Sequence, residues 1–199
     1  MKINPIVLLS QLVLRKETFI MNKKILVVST FILIAAVARL LPHAPNFTPI
    51  GAMALFAGAY ISNRLLSFLI PTIAMVISDA LMGFQGWAYP EQTITVYFTF
   101  LMITLLGSGM RNNKGVFRVG LFSVSASVLF FVVTNFMVWV GGFYHTPTLY
   151  TLDISGLVQC YIAAIPFFSP TFAADLFYSA LLFGSFYLIQ INVPKLVQE

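Results

Sequence analysis

The chain has 199 residues, of which 59% are hydrophobic and only 9% charged. A soluble domain carries about a quarter charged residues, because it must present a polar surface to water. The composition therefore excludes a water-facing globule and points to a surface that meets lipid. The formal charge of +5 is a topology signal and not a nucleic-acid footprint, since in a membrane protein the placement of Lys and Arg matters more than their sum.

Residues 1–20 precede the first long apolar run. Ile3 to Leu14 is apolar but shorter than a span, with no small-residue cleavage site behind it. Two readings stand: an upstream extension with natural translation from Met21, or an interfacial helix on the cytoplasmic leaflet. Residues 21–199 form a single transmembrane domain, with no composition shift to mark a second one.

A span needs roughly 20 apolar residues, somewhat fewer where the bilayer thins. The first is Ile25–Leu41, and the second, Ile50–Ser62, is short. Between them three prolines, Pro42, Pro45 and Pro49, fall within eight residues and prevent a continuous helix. Leu65–Met82 is the third span, with Pro71 inside it; Gln92–Leu106 is the fourth and Val116–Val140 the fifth. Gly156–Phe168 is apolar but bounded by Pro166 and Pro170, which predicts a short re-entrant or interfacial helix at the outer face; Thr171–Ile191 is the sixth span. The fold class is thus all-α integral membrane, with six transmembrane helices.

With six spans, Lys2, Arg15, Lys16, Lys23, Lys24, Arg64, Arg111, Lys114, Arg118 and Lys195 all fall on one side. The opposite loops carry Glu91 and Asp153 and no Lys or Arg. The positive-inside rule makes the basic side cytoplasmic, so both chain ends lie inside. The expected location is a bacterial cytoplasmic (inner) membrane, crossed several times, with the lipid bilayer as the first partner. Ala54-x-x-x-Gly58 in span two is a small-xxx-small pair that lets another helix approach closely.

Charges inside spans are expensive and mark functional candidates. Arg39, Asp79 and Asp175 lie at similar depth near the outer ends of spans one, three and six, and Asn135 of span five belongs near the same layer. This layer reads either as a structural ion pair or as the floor of a ligand cavity open to the outside. The outer loops add His43, Asn46, Trp87, Tyr89 and Cys160 to the ligand-binding candidates. Cys160 with a histidine could meet a metal or a metal-centred ligand from outside, although a lone Cys in an apolar stretch is more often a small packed side chain. The single cysteine forms no internal disulfide and no zinc spacing accompanies it. No HExxH motif or nucleotide-binding glycine loop occurs, and Ser108 lies at the cytoplasmic end of span four, across the bilayer from both histidines. The chain does not read as an enzyme, and it needs no resident cofactor.

The run Arg39-Leu40-Leu41-Pro42-His43-Ala44-Pro45-Asn46-Phe47-Thr48-Pro49-Ile50 resembles the signature of an uncharacterised bacterial six-helix membrane family. So do Ser78-Asp79-Ala80, Thr134-Asn135-Phe136, Cys160-Tyr161-x-Ala163-Ala164-Ile165-Pro166-Phe167-Phe168 and Asp175-Leu176-Phe177-Tyr178. That family is similar to the substrate-binding (S) components of energy-coupling factor transporters, and the match runs from Met21 to about Ile191. The resemblance implies capture of a vitamin, such as a cobalamin-type corrinoid, or a metal ion from the outer side. It also implies a transmembrane coupling subunit and ATPases as partners. The Ala-x-x-x-Ala contact motif expected on the first helix of S components is not intact, because Ala35 is followed four residues later by Arg39. The alternative to transport is a structural or assembly protein whose polar layer only ties helices together.

Overall fold

The computed structural model describes residues 23–84, 90–141 and 149–196. Among them lie six α-helices and no strand. The first helix, α1, covers residues 23–38. It is followed by α2 (Ile50–Tyr60), α3 (Arg64–Leu81), α4 (Pro90–Ser108), α5 (Val116–Gly141), α6 (Ile154–Asn192) and a terminal 3-10 turn, Pro194–Leu196. The 1–20 segment, Trp87, Tyr89 and His145 lie outside the described residues.

The boundaries follow from local chemistry. α1 closes in tight turns, Arg39 N–H to the Ala36 carbonyl at 3.2 Å and Leu40 N–H to Val37 at 2.9 Å, just before Pro42 forbids another turn. Asn63 caps α3 by accepting from the Leu66 amide at 3.1 Å, and Asp153 caps α6 by accepting from the Gly156 amide at 2.8 Å.

α2 is the axis of the bundle. Every residue from Gly51 to Tyr60 is buried, and α3, α4, α5 and α6 all pack on it. A helix apolar on every side is stable only when enclosed. The α2–α4 contact is made by paired glycines. A Cβ on Gly58 would lie 2.0 Å from the Thr104 carbonyl oxygen, and one on Gly107 2.4 Å from that of Leu55. The Ala54/Gly58 pattern therefore marks a backbone-to-backbone approach. Below it Phe31, Phe56, Tyr60, Phe183 and Phe186 form a cluster with ring centroids 4.3 to 6.0 Å apart.

The outward faces are apolar: Ile34 of α1, Ile77 of α3, Phe98 of α4, Val132 of α5 and Leu181 of α6 are all exposed. A surface of this kind is stable in hydrocarbon and not in water. Among the described residues three helices, α3, α5 and α6, are long and apolar enough to cross a membrane. At 11 residues α2 is only about 16 Å long, and α4 is interrupted by Glu91 and several threonines. The six-span expectation thus reduces to a coarser statement: an all-helical chain with three helices of spanning length.

One expectation is corrected. Gly156–Phe168 is not a separate outer helix; it is the first part of α6, which runs unbroken for 39 residues through Pro166 and Pro170. Ser127 of α5 faces Asp175, whereas Asn135 of α5 faces Cys160. Eight positions of α5 (127 to 135) thus match fifteen of α6 (160 to 175). The two prolines are tolerated within the helix. Each lacks only one amide donor, which bends a helix without ending it when flanking contacts hold both sides. Tyr161 supplies such a contact, donating to the Val132 carbonyl at 2.7 Å, and Phe168 packs on Phe131 at 5.0 Å.

Candidate functional site

The helix ends separate two kinds of chemistry. At one end Arg111, in the α4–α5 turn, donates to the carbonyls of Gly58 at 3.1 Å and Ile61 at 2.9 Å, neutralising the C-terminal carbonyls of α2. Arg118 donates to the Gly109 carbonyl beside it. At the opposite end the C-terminus of α1, the N-terminus of α2, the last turns of α3 and the first turns of α4 meet α5 and α6 around a cavity of about 400 Å³. Its walls are Arg39, Asn46, Thr48, Gly51, Asp79, Gln92, Thr93, Tyr97, Phe130, Thr171 and Asp175, with Ile50, Met75, Met82 and Val96.

Two ionic assemblies form its floor. Arg39 Nη2 lies 2.7 Å from Asp79 Oδ1, with both side chains about nine-tenths buried (10% and 13% exposed). Tyr97 donates its hydroxyl to Asp79 Oδ2 at 2.7 Å, and Arg39 Nη1 donates to Ser78 Oγ and, at 3.5 Å, to the Met75 carbonyl. Guanidinium and carboxylate are thus each held by several partners, as a charge at this depth requires. The second assembly is centred on Asp175, which is 2% exposed. Ser127 donates to its Oδ2 at 2.7 Å, and the Ala52 amide bonds the same carboxylate. A Cβ on Gly51 would lie 2.3 Å from Asp175 Oδ1, so only glycine admits this approach. Pro49, the N-cap of α2, makes no side-chain cap bond. Asp175 supplies the missing anion from another helix, where free amides and the helix dipole favour negative charge.

One turn further from the cavity, Ser123 of α5 and Ser179 of α6 are fully buried, and neither hydroxyl has a partner among the described residues. Many other helix hydroxyls behave differently: Ser29, Thr72, Thr99, Thr104, Ser125 and Thr134 each donate to the carbonyl four residues back.

The candidates read from sequence divide accordingly. Arg39, Asn46, Asp79 and Asp175 are brought together in the cavity wall. Asn46 is held in the left-handed region at φ 64, a conformation Asn tolerates better than most residues. Phe47 beside it packs on Phe177 and Tyr178 of α6 at 5.9 and 5.7 Å, pinning the proline-rich loop to the bundle. Asn135 is not in the wall; its amide turns back to the Phe131 carbonyl at 2.8 Å. His43 is exposed, with Nδ1 at 2.6 Å from the Leu41 carbonyl. Cys160 is buried against α5, its thiol 3.4 Å from the Asn135 carbonyl, and no group of three or more metal-ligating side chains occurs among the described residues. Sequence reasoning missed Gly51, Gln92, Tyr97, Ser127 and Thr171. A signal did exist for Ser127: Ser123 and Ser127 are four apart and share one face of α5.

These features define a helical protein with three helices long and apolar enough to cross a membrane, and with a largely apolar cavity carrying charged and polar groups at one end of the bundle. Residues 19–196 match the model of a family of unknown function, DUF6580, and the chain belongs to that family. No curated protein and no solved structure matches it.

Proposed function

We propose that this chain is a multi-pass protein of the bacterial cytoplasmic membrane that captures a small ligand from the outer side, in the manner of the S components of energy-coupling factor transporters. The observation that carries this reading is the cavity. Four helix ends and the middle turns of α5 and α6 converge on about 400 Å³ whose largely apolar wall carries an ion pair, a buried carboxylate and neutral polar groups, the usual construction of a small-molecule site. On this reading all six helices cross or enter the bilayer, both chain ends are cytoplasmic, and the cavity opens outward. The basic residues of the Arg111–Arg118 turn, with Arg64 and Lys195, sit at the inner face. The cavity lies near the lower end of the range of roughly 300–1,000 Å³ typical of ligand pockets. That suits a single-ring vitamin or an ion better than a whole corrinoid. A separate coupling subunit and ATPases would supply the energy.

The test is mass spectrometry of protein purified gently in lipid nanodiscs, beside an Asp79→Asn, Gln92→Ala variant. A small molecule present with the native chain and absent from the variant supports capture. Equal extracts from both would leave the second reading, a structural or assembly protein. That reading is favoured by Arg39–Asp79 and Ser127–Asp175, each of which ties two elements together.

A further inference from the structure

The charges around the cavity do not balance. Four of its lining side chains are ionisable: Arg39, Asp79, Tyr97 and Asp175. Arg39 and Asp79 cancel each other in direct contact, and Tyr97 is a neutral donor to Asp79. Asp175 remains. Its partners are a hydroxyl and a backbone amide, and no cationic side chain stands within salt-bridge distance of it among the described residues. The helix end beside it offsets only about half a charge. An ionised carboxylate 2% exposed inside an apolar bundle is costly, and the cost is relieved by a proton or by a full positive charge brought to it.

A second observation concerns the neutral groups. Asn46, Thr48 and Gln92 line the same cavity, and their side chains make no hydrogen bond among the described residues. Elsewhere in the wall Thr171 is already engaged with the Phe167 carbonyl. Two amides and a hydroxyl are thus open to a ligand, beside one buried carboxyl group that has no cationic partner among the described residues. From this we infer that the cavity selects a small organic cation: a protonated amine on a polar, ring-sized body, its charge against Asp175 and its hydrogen-bonding edge against Asn46, Thr48 and Gln92. The inference rests on the capture reading and specifies its ligand class. An anion is disfavoured twice, by Asp175 and by the absence of any unpaired cation among the described lining residues.

Pyridoxamine, pyridoxine and pyridoxate form a suitable probe series, because they share one ring and differ in a side group that is cationic, neutral or anionic at pH 7. Calorimetric titration of the nanodisc-embedded protein should show pyridoxamine binding at least tenfold more tightly than pyridoxine, with pyridoxate weakest. Asp175→Asn should abolish the preference for pyridoxamine over pyridoxine. Gln92→Ala, at the cavity rim, should weaken both by a similar factor and keep their order, so the inference stays testable even if the Asp175 variant does not fold. Preference for pyridoxate, or equal binding of all three, overturns the charge class and leaves capture standing. Binding of none of the three overturns this ligand class, and capture itself then stands or falls with the co-purified extract.

Discussion

The guanidinium of Arg39 and the carboxylate of Asp79 meet at 2.7 Å and join the end of α1 to the last turn of α3. Neither helix could keep its charge alone, because removing one member of a buried pair strands the other. Arg39→Leu should therefore destabilise the protein by about 3–5 kcal/mol, whereas Lys195→Leu, at the exposed terminal turn, should stay within about 0.5 kcal/mol. Thermal unfolding in detergent compares them directly. Equal midpoints would show that the pair contributes nothing to the fold.

The α2–α4 contact makes a different kind of prediction. Gly58 and Gly107 each face a backbone carbonyl of the other helix, at distances no Cβ can share. Gly58→Ala should force the helices apart and cost about 1–3 kcal/mol. Gly120→Ala, in α5, meets open space and should be neutral or stabilising by up to about 1 kcal/mol through helix propensity. If both substitutions behave alike, the close approach is not what holds α2.

Which parts of this site could be read from sequence depends on what an apolar helix reveals. Arg39, Asp79 and Asp175 stood out because a charge in an apolar run is costly wherever it points. Their common depth followed from counting residues. Rotation about the axis did not. α5 is apolar nearly all round; Ser123 and Ser127 mark one small polar face, but the sequence does not say that this face meets Asp175 while Asn135 turns to its own backbone. Tyr97 was silent for a related reason: a tyrosine near a membrane interface is ordinary until its partner is known. Gly51 acquires meaning only from the carboxylate that fills the space a side chain would take. The division of α6 failed because proline was read as a boundary, although contacts from α5 on both sides carry the helix through it.

Asp153 predicts a pH effect at the start of α6. Hydrogen bonds from the Gly156 amide and the Thr151 hydroxyl hold its carboxyl below the usual value of 3.8. A depressed carboxylate stabilises the fold above its unfolded value and loses that contribution as pH falls through the folded one. The first turn of α6 should therefore keep its cap at pH 5 and fray well below pH 4. Hydrogen exchange at Gly156 should accelerate there in the native chain, while Asp153→Asn shows no such step. A step of the same size in that variant would assign it to another group.

The two orphan serines give the last test, because their cost and their use have opposite signs. Ser179 and Ser123 lie one turn below the Asp175–Ser127 pair, fully buried, with hydroxyls that bond neither to their own helix nor to a neighbour among the described residues. A helical serine ordinarily satisfies itself on the carbonyl one turn back, so leaving two unsatisfied at one level is costly. If each hydroxyl is a desolvated group and nothing more, Ser179→Ala removes that penalty. Stability should then rise by about 1 kcal/mol, toward the low end of the roughly 1–3 kcal/mol assigned to a buried unsatisfied group. Ser125→Ala, on the exposed side of α5 where the hydroxyl bonds to Leu121, should change little. Chemical denaturation in mixed micelles measures both. A loss of stability in Ser179→Ala, matched by Ser123→Ala and not additive with it, would reverse the conclusion. The two hydroxyls would then share a water or an ion beneath Asp175, and the polar layer would be one turn deeper than the cavity wall.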